Sequence, residues 1–156
     1  MTRFFIIFLT VCLNICPHLI KGQNHGDFQI LKTNNAYVIK PEIKDYTRID
    51  TESLSIECST TELSRQLNFE HIAGYFDEES QTLFRNMKIQ ARVYIDIQGT
   101  VQDLYFISEI DPNDHEIDFK VLTVKIQRKL KIDQNNTCLP KFEDKYISWY
   151  IPLYQY

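Results

Sequence analysis

Few side chains in this sequence have the type and spacing that catalysis or metal binding requires. The histidines after residue 22 are far apart, so no two of them could share a metal ion: His25, His71 and His115. Cys58 and His71 lack the repeated ligand spacing of a zinc site. The sequence also contains no glycine-rich phosphate loop, nucleophile elbow or histidine–carboxylate motif. We therefore expect no enzyme activity, no metal and no cofactor.

One acidic cluster is similar in composition to a calcium-binding loop, and it consists of Asp111, Asn113, Asp114 and Glu116. The cluster lacks the glycine and the spacing to a terminal glutamate that such a loop needs. Asn and Asp side chains also cap helices and form turns. We therefore interpret these residues as a turn followed by a helix cap.

The first 22 residues have the layout of a secretory signal peptide. Arg3 gives a positive start, Phe4–Ile15 forms an apolar core, and the small residue Gly22 precedes the predicted cleavage site. Two alternatives remain open, which are an uncleaved membrane anchor and a lipoprotein signal with an acylated Cys16. Cleavage predicts a periplasmic or secreted protein, whereas either alternative predicts a membrane tether.

The charge balance is acidic. The chain has 17 basic and 21 acidic side chains and a net charge of −4. Cleavage would remove Arg3 and Lys21 and leave a net charge near −6. Because nucleic acids and anionic membrane surfaces do not attract an acidic protein, neither is expected as a partner.

Two cysteines remain after cleavage, Cys58 and Cys138. In an exported protein they could form one disulfide between the N-terminal region and the loop before the last strand. Two free buried thiols are the alternative, because no spacing rule identifies the pair.

The N-terminal half has weak signals. Three short apolar runs are interpreted as weak strands: Phe28–Leu31, Ala36–Ile39 and Ser53–Ile56. Capping residues predict a short helix over Thr60–Phe69, with Leu63 and Leu67 on one side, and a second helix after Asp77.

Residues 88–154 have the clearest pattern. Alternation of apolar and polar residues over Ile89–Ile97 predicts a strand with one buried face. Gly99 supplies the positive φ that a tight turn needs. The second strand is Val101–Ser108, whose successive apolar residues indicate a central position in the sheet.

A helix is expected to follow this hairpin, starting at Asn113 or Asp114. Its apolar stripe consists of Phe119, Leu122, Ile126 and Leu130, widened by Ile117, Val121 and Val124. Because β-branched residues are frequent here, a strand over Val121–Ile126 is the alternative.

The last apolar run, Tyr146–Tyr154, alternates again and predicts a third strand. Pro152 has no N–H for a ladder, which places this strand at an edge or a bulge. A free edge can bind another chain by strand addition. The predicted fold is α+β: a small antiparallel sheet in the order β-β-α-β with one helix packed on it, plus an N-terminal mixed extension.

These elements in this order resemble the C-terminal domain of TonB-like energy transducers. The matching motifs are the strand and turn Val93–Val101, the loop and helix Asp111–Leu130, and the closing strand Trp149–Tyr154. The resemblance covers roughly residues 75–154. It divides the chain into a signal peptide at 1–22, an N-terminal extension at 23–73 and a TonB C-terminal-like domain at 74–156.

The resemblance implies a periplasmic module that binds an outer-membrane TonB-dependent transporter by pairing with a short transporter segment. By position, the candidates for partner contacts are Tyr146, Ser148, Tyr150 and Pro152. The chain shows a cleavable signal and no proline-rich spacer, so we expect binding without force transmission. Two alternatives stay open: a secreted or periplasmic structural or interaction protein without a transport role, and a homodimer formed by edge pairing.

Overall fold

The computed structural model describes residues 27–42, 45, 49, 51–52, 58 and 62–155. The predicted signal peptide, the weak strand Ser53–Ile56 and residues 60–61 of the first predicted helix lie outside these ranges. Among the described residues, no helix has the length and apolar character that crossing a membrane requires.

The described part contains six strands and four α-helices. The strands are β1 (Phe28–Lys32), β2 (Tyr37–Pro41), β3 (Thr51–Glu52), β4 (Gln90–Ile95), β5 (Val101–Ser108) and β6 (Tyr146–Pro152). The helices are α1 (Glu62–Gln66), α2 (Phe69–Ala73), α3 (Glu78–Met87) and α4 (Phe119–Lys129), and a 3-10 helix spans Pro112–Asp114. The protein is therefore α+β, which confirms the predicted fold class.

All six strands belong to one sheet in the order β1-β2-β5-β4-β6-β3. Neighbouring strands are antiparallel, except that β3 pairs with β6 in parallel. The central position predicted for Val101–Ser108 is confirmed, because β5 lies between β2 and β4. Strands of the predicted N-terminal extension thus join the same sheet as the rest of the chain, through pairs such as Ile39 with Phe106.

One face of the sheet, the inner face, is covered by the helices. The alternation in the first predicted strand is confirmed over Ile89–Ile95, because Ile89, Ala91, Val93 and Ile95 are all completely buried. The predicted end at Ile97 was wrong, because β4 ends at Ile95 and Ile97 lies in the turn. They belong to one hydrophobic core with residues of all four helices, among them Leu63, Ile72, Phe84 and Ile126. Each such side chain contributes roughly 1.5–3 kcal/mol through its removal from water.

The predicted turn at Gln98–Gly99 is confirmed, since Gly99 has a φ of 71°. The buried carboxylate of Asp96 stabilises the turn by accepting the backbone N–H groups of Gln98 and Thr100, each at 2.9 Å. The turn is also tied to the segment after α4, because the Ile132 N–H donates to the Gly99 carbonyl oxygen at 2.9 Å.

The predicted helix is present as α4, and the alternative strand is not. However, the predicted start of the helix at Asn113 or Asp114 was wrong. Asp111 instead caps the 3-10 helix, and His115 then has extended backbone with φ −134° and ψ 141°. Helix α4 begins only at Phe119, where the Asp118 carboxylate accepts the Val121 N–H at 2.9 Å.

The width predicted for the apolar stripe of α4 was also wrong. Phe119, Leu122 and Ile126 are buried, but Val121 is 47% exposed and Val124 is 38% exposed. A residue two positions along a helix is rotated by about 200°, so Val121 cannot share the face of Phe119. Ile117 is buried, but it lies in the segment before the helix and not on the helix itself.

The helix predicted over Thr60–Phe69 is divided in two. Helix α1 ends at Gln66, and Asn68 then caps α2 by accepting the His71 N–H at 2.8 Å. Leu63 and Leu67 are completely buried. The cap predicted at Asp77 is confirmed, because its carboxylate accepts the Ser80 N–H at the start of α3 at 2.8 Å.

Cys58 and Cys138 form a disulfide with a Cα–Cα distance of 5.5 Å, across 80 residues of sequence. Of the two alternatives that the sequence left open, the structure has the bridge. It connects the chain before α1 to the loop that leads into β6.

Candidate functional site

The four partner-binding residues predicted from the sequence share one face of β6. Alternation places Tyr146, Ser148, Tyr150 and Pro152 opposite to Ile147 and Ile151, whose side chains are buried in the core. This second face, the outer face, is the side of the sheet away from the helices. Tyr150 is the most open of the four, with 47% of its surface exposed.

Arg92 of β4 lies at the centre of the outer face. It lies opposite Tyr105 of β5 on one side and Tyr150 of β6 on the other. Its Nε donates a hydrogen bond to the Ser148 hydroxyl at 2.7 Å, and its Nη1 donates to the Tyr105 hydroxyl at 3.1 Å. The guanidinium therefore connects β5, β4 and β6, which are neighbours in the sheet.

Three tyrosine rings surround the Arg92 guanidinium. Its central carbon lies 5.1 Å from the ring centre of Tyr150, 5.5 Å from that of Tyr94 and 6.0 Å from that of Tyr105. These distances permit cation–π attraction, which strengthens when the cation is partly removed from water. We call Arg92, Tyr94, Tyr105, Ser148 and Tyr150 the arginine cluster.

The arginine cluster perturbs the acid–base properties of its members. Burial disfavours the charge of Arg92, but the hydrogen bond to Tyr105 and the attraction of all three tyrosines outweigh burial and raise the pKa. Burial also raises the pKa of Tyr94 to about 12, against the lowering effect of Arg92. Burial and then Tyr105 raise the pKa of Tyr150. Because the pKa values of Tyr94 and Tyr150 are raised, both hydroxyl groups stay uncharged beside the Arg92 cation at neutral pH.

A cavity of about 360 Å³ opens beside the arginine cluster. It lies over the outer face of β1, β2, β4 and β5, and Ile49 and Thr51 also line it. Its described lining combines apolar, hydroxyl and cationic side chains: Leu31, Thr33, Val38, Lys40, Ile49, Thr51, Arg92, Tyr94 and Tyr105. Both charged groups in this lining are cations.

A second cleft, of about 270 Å³, lies at the other side of the arginine cluster. Trp149, Tyr150 and Pro152 of β6 form one wall, and residues of α1 and α2 with the intervening turn form the other, including Asn68 and Glu70. We call this space the β6 cleft. It brings Tyr150 and Pro152 together with Trp149, which the sequence did not single out.

The edge of β6 is partly covered. Thr51 and Glu52 of β3 pair with Tyr146 and Ile147, so the free edge expected along the whole strand is not present at its start. From Ser148 onward, no strand of the described residues pairs with the edge of β6 that points away from β4. The β6 cleft lies beside this second part of the strand.

Other predicted residues lie away from the arginine cluster. Asp111 accepts hydrogen bonds from the backbone N–H and the side-chain amide of Asn113, which confirms the turn that the sequence predicted there. His71 contacts the Tyr75 hydroxyl at 3.2 Å on the surface of α2. Within the described ranges, no three His, Cys, Asp or Glu side chains are grouped closely enough to hold a metal ion.

Sequence reasoning missed Arg92, Tyr94 and Tyr105 as members of a site. They occupy the polar positions of two neighbouring strands, where an isolated sequence shows only an ordinary solvent-facing pattern. The usable signal was the register, because Arg92 pairs directly with Tyr105 across β4 and β5.

Comparison with known proteins gives no relative from which a role could be taken. No protein-family model, no curated protein and no solved structure matches the chain.

Proposed function

We propose that this chain is a protein-binding module that accepts an extended segment of a partner in the β6 cleft. The observation that supports this proposal best is the position of Trp149, Tyr150 and Pro152, which line the cleft beside the part of β6 beyond β3. Main-chain pairing with β6 would supply affinity, and contacts to alternate side chains would supply selectivity.

The chemistry of the cleft supports a protein partner. Aromatic side chains are enriched where proteins contact each other, because they bury a large area with few rotatable bonds. Tyr150 is exposed over 47% of its surface, yet its ring also packs at 5.1 Å from the Arg92 guanidinium carbon. Tyr150 is therefore held in position before a partner arrives, which lowers the entropy cost of binding.

The class of partner in this proposal is an outer-membrane TonB-dependent transporter, and the compartment is the periplasm. Both rest on the resemblance of residues 75–154 to the TonB C-terminal domain. The same binding mode without a transport role, in a secreted or periplasmic interaction protein, is the second candidate. Pairing of two copies at β6 is the third outcome that the geometry allows.

A photo-reactive phenylalanine analogue at position 150, introduced in cells that naturally make the chain, tests the proposal. The matched control carries the analogue at position 121, because Val121 is also 47% exposed but lies on α4, on the other side of the sheet. We expect a cross-link to an outer-membrane transporter from position 150 and none from position 121.

The remaining outcomes are equally decisive. A cross-link from position 150 to a different protein would keep the binding site and remove the transport role. A cross-link only to a second copy of the chain would replace the proposal with a homodimer. Identical products, or no product, from positions 150 and 121 would overturn the β6 cleft as a binding site.

A further inference from the structure

We propose that the cavity beside Arg92 binds a small organic carboxylate with an apolar body. This is a small-molecule site on the β1–β2 side of the arginine cluster, and it does not depend on the protein-binding role proposed for the β6 cleft. The volume of about 360 Å³ lies at the lower end of the range for ligand sites, which suits a small molecule.

The charge of the described cavity lining favours an anion. The hydrogen bonds that Arg92 donates to Ser148 and Tyr105 of the arginine cluster go to hydroxyl groups and not to carboxylates. The ion pairs within the described residues join Lys88 to Glu109 and Lys120 to Asp27, and neither includes Arg92. Lys40 adds a second cation to the cavity lining, which contains no acidic side chain among the described residues. The described lining of the cavity thus carries two cations in a chain with a net charge of −4.

The hydrogen-bond donors of Arg92 favour a carboxylate. A guanidinium has five N–H donors in a planar fork, and the bonds to Ser148 and Tyr105 use one at Nε and one at Nη1. A carboxylate accepts two parallel N–H groups from such a fork, and bonds between ionised partners are about twice as strong as neutral ones. The arginine cluster also fixes the orientation of the fork before a ligand binds.

The other end of the cavity favours an apolar body. Leu31, Val38 and Ile49 supply an apolar wall, and Leu31 is 42% exposed at its rim. Inorganic anions would leave this wall wet, whereas an apolar body would cover it and gain from the removal of water. A ligand with one carboxylate and a short hydrocarbon or aromatic body therefore matches both ends.

Titration followed by nuclear magnetic resonance, including the Arg92 Nε–H signal, tests this proposal on the exported protein. The probes are 4-phenylbutanoate, its neutral amide 4-phenylbutanamide, and inorganic phosphate. We expect the carboxylate to bind at least about tenfold more tightly than the amide, because one charge-assisted bond contributes about this factor. We also expect it to bind more tightly than phosphate, and to shift signals of residues that line the cavity.

Two variants and a control locate the binding. Arg92→Lys keeps the charge and removes the planar fork, and Leu31→Glu places a negative charge at an already exposed position of the lining. Each should weaken carboxylate binding about tenfold or more. Lys129→Gln removes a cation from the exposed end of α4 and should leave binding unchanged.

Three results would overturn the proposal. They are equal affinity for acid and amide, carboxylate binding that Leu31→Glu does not weaken, and no binding of 4-phenylbutanoate up to its solubility limit. If Arg92→Lys fails to fold, the Leu31→Glu variant still decides, because its substitution lies at a solvent-exposed position. Loss of carboxylate binding would leave the cross-linking experiment at position 150 unaffected, so the two proposals fail separately.

Discussion

The Nε of Arg92 donates a hydrogen bond to the hydroxyl of Ser148 at 2.7 Å, across 56 residues of sequence. This bond connects β4 to β6, and the same guanidinium reaches β5 through Tyr105. A half-buried cation thus holds together the strands that carry both proposed binding sites. The packing of Tyr150 against the guanidinium depends on this arrangement.

Replacement of Ser148 by Ala should therefore destabilise the fold. Hydrogen bonds to charged groups contribute about 1.5–3 kcal/mol, and we expect about 1 kcal/mol here because Arg92 is only half-buried. The free energy of unfolding in urea measures the effect. Thr82→Ala is the control, since Thr82 accepts a bond from the Arg85 Nη2 at 3.1 Å on an exposed helix surface. Its effect should stay within about 0.5 kcal/mol. Equal losses for both variants would contradict a structural role for the Ser148 bond.

The raised pKa of Tyr94 predicts a loss of stability at high pH. Burial raises this pKa to about 12 in the folded protein, and an unfolded tyrosine titrates near 10. The contribution is fully present below pH about 10 and disappears as pH rises through about 12. We expect the free energy of unfolding to fall more steeply with pH in the wild-type chain than in Tyr94→Phe. Over this window the difference should reach roughly 2–3 kcal/mol.

Urea titrations of both proteins at a series of pH values between 9 and 11 measure the difference, because the slope already separates there. Parallel stability curves for the two proteins would show that the Tyr94 hydroxyl is not protected by the fold.

Period-two alternation made the sheet readable from the sequence. The spacing of Ile89, Ala91 and Val93 predicts β4, because every second residue must be apolar when one face of a strand is buried. Gly99 predicts the turn, because the positive φ that the turn needs is unfavourable for other residues. These are local requirements, so a single sequence contains them.

The arginine cluster could not be read in the same way, because it depends on strand order and register. Tyr105 meets Arg92 across the β4–β5 hairpin, where the turn fixes the register, but Tyr150 meets Arg92 only if the distant strand β6 lies on the other side of β4. Pairing between distant strands is set by the packing of the whole core, which is not a local property. The disulfide is similar, since Cys58 and Cys138 are brought together only by the finished fold.

The start of α4 shows how local signals compete. Asn113, Asp114 and Asp118 are all acceptable caps, and only the extended backbone at His115 decides for Asp118. Asp118→Ala should therefore cost about 1 kcal/mol of unfolding free energy, because the Val121 N–H loses its acceptor. Asp114→Ala is the control, and its effect should stay below about 0.5 kcal/mol. Thermal unfolding of the two variants measures both, and a larger loss for Asp114→Ala would place the functional cap earlier in the chain.

The disulfide should contribute strongly to stability. It closes a loop of 80 residues, and in the chain-entropy description a loop of this length contributes about 4.5 kcal/mol by restricting the unfolded state. The double variant Cys58→Ser, Cys138→Ser should unfold at a clearly lower urea concentration than the oxidised wild-type chain. Addition of reductant should lower the wild-type value toward that of the variant and leave the variant unchanged.

Alkylation followed by mass measurement supplies the control for this comparison. We expect no alkylated cysteine at these two positions before reduction and two after it, in denatured protein purified from cells that naturally make the chain. Two alkylated thiols without reductant would show that the bridge does not form in the natural protein.

The two described glycines should respond in opposite ways to substitution by alanine. Gly99 has a φ of 71°, and a Cβ there would overlap the carbonyl group of Ile132, which is backbone and cannot rotate away. Gly99→Ala should therefore lower the free energy of unfolding by about 2 kcal/mol or more, because left-handed strain and the overlap add. Gly74 has a φ of −64°, and a Cβ there would meet no atom within 4 Å. Gly74→Ala should stabilise the chain by about 0.4–1 kcal/mol through the lower entropy of the unfolded state. Urea unfolding of both variants measures the contrast, and a neutral Gly99→Ala would mean that the contact between the turn and Ile132 is not rigid.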